Sequence, residues 1–184
     1  MMIDYMLLGI VLHKAQTGYA IKKEIEMGIG NFYKVSYGQL YPALKKLTEK
    51  KWLEMEEKPQ GARQKKFYLA TKQGREEFLK WLSMPYDPAV SSDALLAKIF
   101  FYGELPQELR KQRLEEYERA VLSALQGLEA IEQQFAGQIH DDRDYFELST
   151  LYLGLANAQT SLRWFRHLKE QKPLSAFLLE REKD

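Results

Sequence analysis

The sequence predicts a mainly α-helical protein in two parts, and three observations carry that expectation. Apolar residues recur at helical spacing through most of the 184 residues. Residues 52–70 interrupt that pattern with two short extended runs. Beyond Pro106, apolar residues spaced alternately three and four apart continue for three heptads. The composition, 45% hydrophobic and 29% charged, suits packed cores. There are no cysteines, which excludes disulfides, thiolate metal sites and cysteine nucleophiles.

The first helix is expected from Ile3, Leu7, Leu8, Val11 and Leu12. This apolar run lacks a basic flank and a cleavage-like pattern, and it is too short to span a bilayer, so it reads as a core helix of a cytoplasmic protein with no membrane partner. Thr17 can cap a second helix with Ala20, Ile21 and Ile25 inward, ending at the glycines of MGIGN. Ser36, with Gln39 three residues on, forms a capping box for a third helix that runs to about Lys50. The runs WLEMEEK and KKFYLA then make a hairpin, with Pro59 and Gly61 as turn residues. Thr71 caps a fourth helix whose Phe78, Leu79 and Leu82 share one side.

Pro42 lies inside the third helix, where a proline costs about 3 kcal/mol at an interior position. Leu40, Leu44 and Leu47 set the core direction, which puts Gly38, Pro42, Lys45 and Glu49 on the outward face. The ring would press on the carbonyl of Gly38, in the first turns, where several donors lack helical partners in any case. Two readings follow. Pro42 sets only the entry angle of the helix, or it bends the start outward so that the bare Gly38 surface, flanked by Gln39, Tyr41, Lys45 and Lys46, approaches a groove.

Three helices, a hairpin and a further helix are the order of a winged helix-turn-helix, in which the third helix reads the major groove and the hairpin forms a wing. Net charge is only +1, but residues 1–83 hold 15 Lys and Arg against 9 Asp and Glu, a net of +6, and the remainder nets −5. The wing from Lys58 to Lys66 carries Lys58, Arg63, Lys65 and Lys66 and no acid. The basic half is where a polyanion would bind. Chance unevenness between solvated faces is the other reading.

Gly18-Tyr19, then S-x-G-x-L-Y-P-A-L-x-x-L at residues 36–47, the basic wing and T-x-x-G-R at 71–75 resemble the PadR family of transcriptional regulators. The second half, with its FFYG segment, is similar to the virulence-activator-alpha type of C-terminal domain in that family. The resemblance implies a homodimeric winged-helix regulator of transcription, mostly a repressor, that binds double-stranded DNA without metal, cofactor or enzymatic activity. It implies DNA-binding roles for Tyr19, Ser36, Gly38 and Tyr41; Tyr37, Gln39, Pro42, Lys45, Lys46, Arg63, Lys65 and Lys66 join them from the outward face and the wing. Acidic Glu54, Glu56 and Glu57 limit how much of the wing can face phosphate. The expected operator is palindromic. A protein-interaction adaptor that kept the winged helix but lost DNA binding is the alternative.

The expected domains are a winged helix over 1–83, a linker over 84–91 and a helical dimerisation domain over 92–184. A helix at 92–103 presents Leu95, Leu96, Ile99 and Phe100. The heptad seam runs through Leu114, Tyr117, Val121, Ala124, Leu128, Ile131 and Phe135, and a second seam through Leu151, Leu155, Ala158, Leu162 and Phe165. The seams can pair within one chain, between chains, or both, as an intertwined dimer. Phe100, Phe101 and Trp164 are either core aromatics or walls of a pocket for the small aromatic effector that the resemblance implies. His13, His140 and His167 lack a second ligand at i+3 or i+4, and no catalytic triad can be drawn.

Overall fold

A computed structural model describes residues 2–30, 33–60, 63–89, 91–135 and 139–179. The chain divides into two compact units, Met1–Pro106 and Gln107–Asp184.

The first unit opens with helix α1 (Met2–Ile10), whose Met6, Leu7 and Leu8 are wholly buried. A short strand β1 (Gln16–Thr17) precedes helix α2 (Gly18–Gly28), capped as expected by the Thr17 hydroxyl, which accepts from the Ala20 amide at 3.2 Å. Helix α3 (Tyr37–Glu49) starts from the full capping box, with the Gln39 amide donating to the Ser36 hydroxyl and the Ser36 amide donating to the Gln39 side chain. Lys51 follows in the left-handed region at φ 58° and turns the chain into strand β2 (Leu53–Gln60). Strand β3 (Arg63–Ala70) returns antiparallel, and the sheet order is β1-β3-β2. Pro59 is not a turn residue; it pairs with Gln64 within β2, an edge strand, where a missing donor is tolerated. Gly61 lies outside the described residues. Helix α4 (Lys72–Leu82) is capped by Thr71 and buries Phe78 and Leu82. The core collects Leu7, Ile21, Leu40, Leu44, Leu47 and Phe78 from four helices.

Helix α5 (Ser92–Phe100) and the 3-10 turn Tyr102–Glu104 that follows it fall within this first compact unit. Phe101 packs edge-on against Phe78, with ring centroids 5.4 Å apart. Lys98 is buried, with its ammonium directed to the Met84 carbonyl and the Trp81 ring. His13 shares a hydrogen bond of 2.9 Å with the Glu104 carboxylate. The compact unit therefore extends past residue 83 because α5 completes its core.

The second unit is an antiparallel hairpin of α6 (Gln107–Phe135) and α7 (Asp142–Glu170), followed by the short α8 (Leu174–Leu179). Tyr117 stacks on Phe165, Glu118 pairs with Arg166 and Lys169, and Tyr152 donates to Glu132 at 3.0 Å. Leu125, Leu155 and Leu162 form its buried core, with Val121, Leu128, Leu151 and Ala158 packed against them. Leu125 takes the inward place expected of Ala124, which is exposed. At about 100° per residue, Leu125 stands about 20° from the direction of Leu114 and Ala124 about 80° from it, so Leu125 lies nearer the buried stripe. Asp141 caps α7, its side chain accepting from the Asp144 amide at 2.9 Å.

Candidate nucleic-acid interface

The outward face of α3 follows from its buried one. Leu40, Ala43, Leu44 and Leu47 point into the core, which leaves Tyr37, Gly38, Gln39, Tyr41, Pro42 and Lys45 exposed. A Cβ at Gly38 would meet nothing closer than the Ser36 hydroxyl at 3.7 Å, so packing does not require glycine there. Tyr37 and Tyr41 stack one helical turn apart, with centroids at 5.9 Å, and the Lys22 ammonium sits 4.9 Å from the Tyr37 ring. Lys22 also pairs with Glu26, and that hydrogen bond is the main cause of its raised pKa.

A cleft of about 690 Å³ separates this face from the wing. Tyr19, Tyr41 and Lys45 form one wall, and Met55, Lys65 and Tyr68 form the other. Gln64 and Lys66 also line it. Tyr41 lies against Gly18, where an added Cβ would stand 2.9 Å from the ring. Burial, and then the neighbouring Tyr41, hold the Tyr68 phenol above its ordinary pKa. Tyr68 is absent from the sequence-based site. The alternation of β3 carries the signal, since Gln64, Lys66 and Tyr68 share one face of the strand.

The cleft thus brings together Tyr19, Tyr41, Lys45, Lys65 and Lys66 of the expected residues. The Arg63 side chain lies outside the described residues. Lys45 reaches Glu49 at 3.8 Å, Lys66 reaches Glu57 at 3.7 Å and Lys58 reaches Glu56 at 2.6 Å, all exposed pairs. Such pairs are worth about 0–1 kcal/mol, so a phosphate can displace them at little cost. Strand alternation turns Glu54 and Glu56 to the face opposite Met55, which lines the cleft. Lys46 departs from its expected place on the flank of the outward surface, because its ammonium is turned to the buried carboxylate of Asp4 on α1.

The expected seam residues Leu114, Tyr117, Leu155, Leu162 and Phe165 are buried inside the α6–α7 hairpin, and Val121 and Leu128 pack against its core. Ile131 and Phe135 are exposed, as are Tyr145, Phe146 and Leu153 on α7. Phe101 is a core residue rather than a pocket wall. Phe100 is 45% exposed and lies over Gly28, and half-buried Trp164 leans on Phe165 in the second unit. No described helix is long and apolar enough to cross a membrane.

A core of four helices with a wing, and a basic cleft beside the exposed face of α3, define a winged-helix protein of the DNA-binding class. Residues 7–80 match the transcriptional regulator PadR-like family, and residues 93–171 match the virulence activator alpha C-terminal family. The chain is 30% identical over 131 residues to the negative transcriptional regulator PadR of Bacillus subtilis, across 68% of this chain and 71% of that one. A probable transcriptional regulator of Mycobacterium tuberculosis is 26% identical over 89 residues, covering 48% of this chain and 47% of that protein. The chain belongs to the PadR-like family of transcriptional regulators. Among solved structures it is similar to Bacillus subtilis PadR in complex with operator DNA, with a TM-score of 0.44 and 22% identity over 91% of this chain and 96% of that one. It is similar also to the same protein in complex with p-coumaric acid, with a TM-score of 0.43 and 22% identity over 93% and 98%.

Proposed function

We propose that this chain is a sequence-specific repressor that binds a palindromic operator as a homodimer in the cytoplasm. The observation that carries this reading is the cleft that collects Tyr41, Lys45, Lys65 and Lys66 between helix α3 and the wing. In this arrangement Tyr37, Gln39, Tyr41 and Lys45 read base edges in the major groove, and Lys65, Lys66 and Arg63 hold phosphates. Ser36 keeps the start of α3 ordered, Gly38 and Pro42 keep it slim, and Tyr19 borders the backbone. Repression is supported by the relative of 30% identity, which is a negative regulator. Residues 1–106 form the DNA-binding unit, and the hairpin joins two chains through its exposed Ile131, Phe135, Tyr145 and Phe146.

Selection of bound DNA from a random pool tests the reading. The expected product is an inverted repeat whose half-sites lie about 34–36 Å apart, one turn of duplex. Recovery of no enriched sequence would favour the adaptor reading, and a lone half-site would reject the symmetric dimer. Changes at Tyr41 or Lys45 are expected to reorder preference among variants of the selected site. A small planar aromatic effector completes the proposal, with Trp164 as its reporter. p-Coumaric acid is expected to change tryptophan fluorescence over the concentrations at which it releases DNA; an unchanged spectrum together with intact binding rejects it.

A further inference from the structure

Two adjacent lysines on α3 have opposite fates. Helical geometry places Lys45 and Lys46 about 100° apart, on either flank of the outward direction set by Leu40, Leu44 and Leu47. The Lys45 side chain is 79% exposed and lines the cleft. The Lys46 side chain is 33% exposed and crosses to Asp4, 42 residues away, whose side chain is only 5% exposed. Asp4 sits in the first turn of α1, between core residues Ile3 and Met6. A carboxylate at that depth is costly without a cation, so the pair holds the ammonium firmly. Tyr33, just before α3, has a raised pKa, first from burial and then from the Asp4 charge.

We propose that Asp4 is a positioning residue for DNA recognition: it ties Lys46 to α1 and keeps that ammonium off the phosphate backbone, so that only the Lys45 flank of α3 presents charge to DNA. The inference rests on the reading of α3 as the DNA-facing helix. A lysine is a flexible point charge that contacts any phosphate within reach. Released, Lys46 would add affinity that carries no sequence information. Tied back, it leaves α3 to discriminate through Tyr37, Gln39, Tyr41 and Lys45.

The test is the salt dependence of binding to sheared genomic DNA, because the slope of log K against log salt counts neutralised phosphates, at about 0.9 for each one. Asp4→Asn in the full chain is expected to steepen the slope by about 0.9. Asp4→Glu, which can still pair with Lys46, is expected to keep the original slope, as are Lys46→Met and the Asp4→Asn/Lys46→Met double variant. An unchanged slope in a folded Asp4→Asn protein overturns the inference. So does a slope about 0.9 shallower in Lys46→Met, which would mean that Lys46 already touches phosphate. Should circular dichroism show either single variant unfolded, the Asp4→Asn/Lys46→Met double variant, which buries no unpaired charge, decides: the original slope upholds the inference and a slope about 0.9 shallower overturns it. Absence of salt-dependent binding by the unaltered chain overturns the DNA-binding reading and this inference with it, whereas normal binding with a failed variant series overturns the inference alone.

Discussion

At Gly74 the winged helix leaves no room for a methyl group. A Cβ there would overlap the Trp52 carbonyl oxygen, which also accepts from the Thr71 amide at 3.0 Å and from the Thr71 hydroxyl at 3.2 Å. Neither the carbonyl nor the α4 cap can move without breaking the other. Gly74→Ala is expected to cost about 3 kcal/mol, the upper range for overpacking. Urea denaturation checks this, with a lower midpoint and an unchanged slope expected. The T-x-x-G-R pattern at residues 71–75 marks the position in the sequence, but the reason for it, a backbone carbonyl from 22 residues upstream, is visible only in the fold. The Ser36 capping box differs in this respect, because both its partners lie within four residues and the spacing alone predicts it.

Among the elements, the wing and the C-terminal hairpin respond to different variables. The wing's lysines are exposed, and their acidic partners are loosely held. Changing Arg63, Lys65 and Lys66 together to Ala is expected to weaken binding to every duplex alike and to flatten the salt slope by about 0.9 for each phosphate that is no longer neutralised. Gel-shift titrations over a salt series decide it, and selective weakening on one operator variant would contradict it. In the hairpin, the Lys169 hydrogen bond first, and Arg166 with it, hold the Glu118 carboxyl below its ordinary value of 4.5. A depressed carboxylate contributes stability that is present above the unfolded pKa and lost as pH falls through the folded one. Urea midpoints of the wild-type hairpin are therefore expected to drop more steeply below pH 4.5 than those of Glu118→Gln, and parallel profiles would contradict the assignment.

For the whole molecule, the place where the chain is cut decides what survives. A chain ending at Met84 loses Phe101 from its packing on Phe78, together with the interactions of Lys98 with Trp81 and the Met84 carbonyl. A chain ending at Pro106 keeps them. The shorter chain is expected to melt below the longer one in thermal denaturation. The longer one is expected to bind a palindromic site no better than a half-site, because linking two readers raises affinity by roughly 10² to 10⁴ and this chain has no link. Full-strength binding to the palindrome by the 1–106 chain would place the dimer interface in the winged helix. Val121 and Leu128 are unsuitable probes of the dimer, since charge there would open the hairpin within one chain. Phe135 and Phe146, 46% and 68% exposed, are the better pair. Phe135→Glu with Phe146→Glu is expected to yield a helical monomer by sedimentation.

The order of the four helices and the hairpin of the winged helix, the caps at Thr17, Ser36 and Thr71 and the buried stripe of α3 were determined by the sequence alone, because each depends on residues within a turn or two of one another. So was the membership of the outward face, Lys46 excepted. Strand β1 and helix α8 emerged only in the fold. The tertiary structure decided everything that pairs distant residues: Lys46 with Asp4, Phe101 with Phe78, Tyr68 beside Tyr41, and two heptad seams closing on each other within one chain. Periodicity states that a face must be buried, but it carries no record of what buries it. A lysine at the edge of an exposed stripe can extend to solvent or fold back, and only a buried carboxylate 42 residues away turns it inward.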